Sequence, residues 1–297
     1  MTRVAPRVLT VHPEVVPGRG GTTILIRGTG FTPSTVITVG GVRALVRLVR
    51  NSGAVYAITP RGVGTEIVRA VTSVGTSAAN PGSVVHYANR VLVIGDSLGI
   101  DLAWGFTPTV DARDHLAVVD EAVGSSGLVR SDFYNWPAHL RSDLAATHPD
   151  VVVVLLGTND QQVLGTSRGI ANPGTPAWDK VYAARVRQLG TIIRRARVSL
   201  VWVSLPRMGP RAWLDPKFVA RLVALDRSAV ATIGQSVFVN SWLVFSTARG
   251  AYTPYVETAP HVWALGHAQD DIHLTPAGAA VIDAKALEGL RMLLTRR

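Results

Sequence analysis

Cysteine is absent from the 297 residues. That excludes disulfides, thiolate metal sites and cysteine nucleophiles, and it fits reducing and oxidising compartments alike. Long apolar runs are missing too: no stretch reaches the ~18–20 residues that span a bilayer. The opening "MTRVAPRVLTVHPEVVPG" is broken by prolines and charges before an apolar core forms, so it lacks the shape of a secretory leader. Aromatic residues are few, at 6%. In the basic first 88 residues they are little interleaved with the arginines, and no nucleic-acid-binding motif is present, so no nucleic-acid partner is expected.

Acidic residues are scarce in one part only. Residues 1–88 carry nine arginines and two acids, Glu14 and Glu66, a net of +7 out of +10 for the whole chain. Such a segment is drawn to anionic polymers or surfaces, and an anionic envelope polymer is the expected partner. A solvated basic surface is the plainer reading. With 47% apolar and 17% charged residues the chain reads as globular.

The first 88 residues read as strands. "TTILIRGTGF" alternates in the period of a half-buried strand. "STVITVGGVRALVRLV" places Gly40-Gly41 between two β-rich runs, a hairpin signal. "TEIVRAVTSVGTS" is another alternating run ending in a turn. Short strands punctuated by Gly, Pro and Asn predict a small all-β sandwich. The segments "PGRGGTTILIRGTGF", "VGGVRA", "AITPRGVGTEIVRAVTSVGTS" and "VVHYA" resemble the IPT/TIG family of immunoglobulin-like domains. The resemblance implies a spacer, carbohydrate-associated or protein-contact role without catalysis.

After the turn-rich "ANPGS" the rhythm changes, and the domains are read as 1–88 and 89–297, with the junction near 86–90. "RVLVIGDS", "HLAVVDEAV", "DVVVVLLGTND", "SLVWVSLP" and "SVFVNSW" are short apolar runs. Helix-period segments follow at 133–148, 177–197 and 216–234. A last helix is predicted over 276–295, with Thr275 as cap and Pro276 in its first turn. This alternation predicts a three-layer α/β/α domain on a five-stranded parallel sheet, with ligands beyond the carboxyl ends of the strands.

Those ends carry the chemistry. The first strand stops at Gly95-Asp96-Ser97, another at Gly157-Thr158-Asn159-Asp160, and a long loop arrives at Asp270, Asp271 and His273. Ester hydrolysis needs a hydroxyl, a base, a carboxylate to orient the base, and donors for the oxyanion. Ser97 at a helix start offers the hydroxyl and a free N–H, His273 the base, Asp270 the carboxylate and Asn159 an amide donor. "GDSL", "GTND" and Asp270-x-x-His273, in this order, resemble the SGNH/GDSL hydrolase superfamily. "GLVRSDFYNW" with "GTNDQQ" resembles its DUF459-type bacterial subgroup, linked to cell-envelope acyl chemistry. The resemblance implies a flavodoxin-like fold, a Ser97–Asp270–His273 triad, and an oxyanion hole of Ser97 N–H, Gly127 N–H and Asn159. The family has a further block between the GDSL and GTND motifs, the second in order, and its glycine falls in "VGSSGLVRSDFYNW" as Gly124 or Gly127, with the flanking residues favouring Gly127. Where the family often has glycine after the triad acid, this chain has Asp271, so either acid can orient His273. The D-x-x-H spacing favours Asp270.

No histidine pair has metal-ligand spacing, so no metal or other cofactor is expected. His86, His115, His139 and His148 read as ordinary residues, while His261 and His267 lie on the loop leading to His273 and are candidates for substrate contact. Two long connections, 161–178 and 248–269, are expected to shape specificity. Their Trp178, Tyr252, Tyr255 and Trp263 are candidates for stacking on sugar rings, or for pinning the loops. The expected function is a serine esterase deacylating an envelope-type polysaccharide or glycoconjugate. An O-acyltransferase with the same triad and a non-catalytic carbohydrate- or surface-binding protein are the alternatives. The expected location is extracellular or envelope-associated, with virion-associated and cytoplasmic settings as alternatives.

Overall fold

The structure, a computed structural model, describes residues 4–106, 116–167 and 169–295. His115 lies outside them. The chain forms two compact units that divide between Asn89 and Arg90, with 116–117 and 294–295 grouped with the first.

The first unit is a sandwich of two sheets. One has the order β1-β3-β7-β6, built from β1 (Arg7–His12), β3 (Thr23–Thr29), β7 (Ala54–Ile58) and β6 (Leu45–Asn51), paired antiparallel throughout. The other joins β4 (Val36–Val39), β5 (Val42–Arg43) and β8 (Gly64–Thr72) to the start of β10 (Val84–Gly95). The short β2 (Val15–Pro17) lies on β10 and β9 (Gly75–Thr76) on β8. Alternation along each strand sends Val8, Ile24, Ile26, Ile37, Val55, Val68, Val85 and Tyr87 into one core. The β4–β5 turn is Gly40-Gly41, with φ of 57° and 82°. Positive φ at both central residues is what a tight hairpin requires, and glycine adopts it without steric cost.

The two apolar runs on either side of Asn89-Arg90 are one strand, β10. Its burial alternates up to residue 89 and is continuous over Val91–Gly95. That is the change expected when a strand passes from a sandwich sheet into a sheet covered on both faces.

The second unit has the strand order β11-β10-β12-β15-β16, from β11 (Leu116–Asp120), β12 (Val151–Leu155), β15 (Ser199–Val203) and β16 (Ser236–Val239). The pairs β10–β12, β12–β15 and β15–β16 are parallel. Its helices are α1 (Ser97–Gly105), α2 (Trp136–Thr147), α3 (Pro176–Arg195), α4 (Pro216–Val230) and α5 (Pro276–Thr295). Asn135, Thr175 and Asp215 cap α2, α3 and α4 through side-chain oxygens, each followed by proline in the first turn. Both long connections contain a hairpin: β13 (Leu164–Thr166) with β14 (Gly169–Ala171), and β17 (Tyr255–Ala259) with β18 (Val262–Leu265). Strand order reverses between β10 and β12, the switch point at which open α/β sheets bind ligands. Among the described residues, no helix is long and apolar enough to cross a membrane.

Candidate active site

The loops after β10 and β12 are joined by one carboxylate. Asp96, fully buried, accepts Leu98 N–H at 3.0 Å as the cap of α1, and Gly157 N–H and Thr158 N–H at 2.9 Å each. Burial pushes its carboxyl up, while these bonds and the Thr158 hydroxyl pull it down. Gly95, just before it, has no room for a side chain: a Cβ would stand 2.2 Å from Leu155 O.

Ser97 is the first residue of α1, so its N–H is one of the four that the helix leaves without an internal partner. Its Oγ lies 2.9 Å from His273 Nε2. His273 Nδ1 lies 2.5 Å from Asp270 Oδ2, while Asp270 Oδ1 accepts the N–H groups of Ile272 and His273 at 3.0 Å each. Burial raises the Asp270 carboxyl, but the His273 ring and the two N–H donors outweigh it and hold it below the usual carboxylate range. An ionised Asp270 only accepts, so Nδ1 carries the imidazole proton and Nε2 presents a lone pair to the Ser97 hydroxyl.

Asp101, one helical turn after Ser97, accepts Leu274 N–H at 2.8 Å and ties α1 to the His273 segment. The sequence reading missed it. The available signal is an acid four residues after Ser97, hence on the same face of an otherwise apolar helix.

The second block is a turn, with Val123 N–H on Gly95 O and Ser126 N–H on Val123 O. Ser126 Oγ accepts Trp136 Nε1–H at 3.1 Å. Asn159 Nδ2 donates to Ser126 O at 2.9 Å and to Thr158 Oγ1 at 3.1 Å. The first bond holds the Ser126 turn and the Asn159 loop together. Asp160, also missed, accepts Leu128 N–H at 3.1 Å and Val129 N–H at 2.8 Å. Burial pushes its carboxyl up to about 7 against those two donors. Gly127 is buried against Asp160: a Cβ there would stand 2.3 Å from Oδ1. Gly124 is open by comparison: a Cβ there would meet only Ile100 of α1, at 3.9 Å.

Asp271 turns away from His273. Its carboxylate is clamped by Arg211, whose Nε and Nη2 lie at 3.2 and 3.1 Å, and by Tyr252 OH at 3.0 Å. Of the two adjacent acids, Asp270 alone bonds the His273 ring.

The candidate substrate-contact residues separate by burial. Trp178 is fully buried, stacked on Tyr182, with its Nε1–H on Gln162 O. Tyr252 is engaged with Asp271 and His267, so these two aromatics pin their loops. Tyr255 and Trp263, on the β17–β18 hairpin, are 50% and 60% exposed. His267 is fully buried and stacked on Phe245, so it is no surface contact; His261 sits exposed at the hairpin turn. Among the described residues, no group of three or more His, Asp and Glu is placed to hold a metal ion.

Comparison with known proteins agrees with this architecture. A family profile described as a protein of unknown function, DUF459, matches residues 90–288, and an IPT/TIG domain profile matches residues 6–87. No curated protein sequence matches the chain. Among solved structures, a protein assigned as an acylhydrolase from Bacteroides fragilis is 17% identical, with a TM-score of 0.50 over 69% of this chain and 88% of that one. A GDSL-like lipase from Bacteroides thetaiotaomicron is 14% identical, with a TM-score of 0.49 over 69% of this chain and 89% of that one. An acetylxylan esterase from Geobacillus stearothermophilus is 15% identical, with a TM-score of 0.48 over 69% and 95%. At such identities the likeness concerns the fold. The profile match over most of its length places the chain in the DUF459 family, with the fold of the Bacteroides fragilis protein in that part and an IPT/TIG domain before it.

Proposed function

We propose that this chain is a serine esterase acting on acylated polysaccharide or glycoconjugate. The observation that carries the chemistry is the relay from Ser97 Oγ through His273 to Asp270, at 2.9 and 2.5 Å, on the first residue of a helix. Ser97 Oγ attacks the ester carbonyl as its proton passes to His273 Nε2, and Asp270 stabilises the imidazolium. The oxyanion meets Ser97 N–H, the Asn159 amide hydrogen released from Thr158 Oγ1, and a second-block N–H, assigned to Gly127. His273 returns its proton to the leaving alcohol. Water then attacks the acyl-Ser97 carbonyl as its proton passes to His273, which gives that proton to Ser97 Oγ as the free acid departs.

The sugar part of the reading is supported by the exposed Tyr255 and Trp263, one to each strand of the hairpin that leads into the Asp270–His273 turn. Aromatic faces suit the apolar faces of sugar rings. Ser97→Ala is expected to lower aryl-ester kcat by at least roughly a thousandfold with an unchanged thermal midpoint. A phosphonate ester should label the parent at Ser97, as read by mass spectrometry. Turnover retained in Ser97→Ala would sink the proposal. Tyr255→Ala and Trp263→Ala should raise KM on acylated glycan and leave aryl-ester KM within about twofold, since such contacts bind ground and transition states alike.

A further inference from the structure

The residue after Asp270 is held in a conformation that favours glycine. Asp271 has φ of 60°, in the left-handed region that glycine enters without a Cβ penalty. Yet its side chain is only 1% exposed and fully engaged. Oδ1 accepts Arg211 Nη2–H at 3.1 Å and Tyr252 O–H at 3.0 Å; Oδ2 accepts Arg211 Nε–H at 3.2 Å and Arg211 backbone N–H at 3.1 Å. Its carbonyl accepts Gly209 N–H at 3.2 Å and its own N–H donates to Ala268 O at 3.1 Å. Gly209 permits this approach: a Cβ there would stand 2.6 Å from Asp271 Cγ and 2.4 Å from the Tyr252 ring. Two segments remote in sequence, at Gly209–Arg211 and Tyr252, thus converge on one residue beside the acid–base pair.

We propose that Asp271 is a positioning residue, which with Arg211 anchors the Asp270–His273 turn to the loop after β15 and so fixes His273 against Ser97. The proposal rests on the esterase reading for its kinetic consequence alone. A glycine at this position would leave the turn free to shift relative to that loop; the clamp replaces that freedom with a two-pronged ion pair. The competing view is that Asp271 only occupies a left-handed position that glycine fills as well.

Asp271→Gly separates the two, because it relaxes the backbone while deleting the clamp. Arg211→Ala is the second probe. That side chain is 66% exposed, so its removal leaves no cavity in the core. Arg211→Lys keeps the charge and loses the fork. In the full chain, Asp271→Gly and Arg211→Ala should each lower aryl-ester kcat about 10–100-fold with KM within about threefold, and Arg211→Lys should fall between. The double variant should be no worse than the poorer single one, since both act through one clamp. A readout independent of turnover is the downfield proton resonance of His273 Nδ1–H, identified by its loss in His273→Gln. It should be sharp in the parent and broadened by faster exchange in Asp271→Gly. Parent-like kcat and a parent-like resonance in Asp271→Gly would overturn the proposal. Failure of the esterase reading shows separately, as turnover retained in Ser97→Ala, and leaves the resonance test intact.

Discussion

His267 shows how burial decides a residue's part. It stands six residues before His273, yet the two imidazoles differ in every partner. Tyr252 O–H donates to Asp271, so the Tyr252 oxygen accepts from His267 Nδ1–H at 3.0 Å. That fixes the tautomer and leaves Nε2 as a buried lone pair without a partner. Burial lowers its pKa from 6.5 to about 4, against the pull of Asp271 and Asp270. The unfolded chain therefore takes up a proton below pH 6.5 that the folded chain refuses until about pH 4. The stability this residue contributes is fully present above pH 6.5 and is lost as pH falls through 4, by about 3 kcal/mol. His267→Phe has no such proton. Urea unfolding at pH 7 and pH 4 should show the parent losing about that much more stability than His267→Phe. Equal losses would remove His267 from the acid lability of the protein.

At the scale of elements, the strands and helices were legible because each has a strong period or a firm start. "VVVVL" and "SLVWV" are continuous apolar runs, and they are β12 and β15, buried along their whole length. Residues 177–197 and 216–234 were read as helices that the structure starts at Pro176 and Pro216 and ends at Arg195 and Val230. The hairpins β13–β14 and β17–β18 were not legible. The strands of the first are three residues long, and the second has an irregular register between Glu257 and Ala259. Neither leaves room for a period to show. The ends of β10 and β12 were legible as chemistry, but the stitching between them was not. Asp96 and Asp160 stand at the strand ends in the sequence, but nothing there shows that they accept the N–H groups of other loops.

That stitching is testable through the second-block glycines. Gly127→Ala drives a Cβ into the Asp160 carboxylate and should displace it from Leu128 and Val129 N–H. Buried groups left unpaired cost about 1–3 kcal/mol. Esterase kcat should fall tenfold or more, with a thermal midpoint several degrees lower. Gly124→Ala meets no atom nearer than 3.9 Å and keeps its N–H, so its activity should stay within about threefold. Tolerance of alanine at Gly127 would show that the Asp160 contacts do not hold the loop.

At the scale of the whole molecule, charge and chemistry lie in different units. The relay lies in residues 90–288, while most of the net charge lies in residues 1–88. Within the sandwich, a cleft of about 890 Å³ runs along β4, β5 and β6. Arg43 and Arg47 line it beside the exposed Leu45 and Leu48, and no acidic side chain lines it. We propose that the two arginines of this groove hold a polymer carrying anionic groups, such as an acidic envelope polysaccharide. If this unit holds the enzyme on its polymer, the full chain should co-sediment with an insoluble acidic polysaccharide, less so as salt shortens the Debye length from about 30 Å at 0.01 M to about 8 Å at 0.15 M. Arg43→Glu with Arg47→Glu should weaken that retention at least tenfold at low salt and leave aryl-ester kcat unchanged, because the substitutions lie outside the catalytic unit. Deacylation of the insoluble polymer should then slow while turnover of a soluble aryl ester does not. Retention equal to the parent's would place the polymer elsewhere and leave the arginines of this groove as ordinary solvated charge.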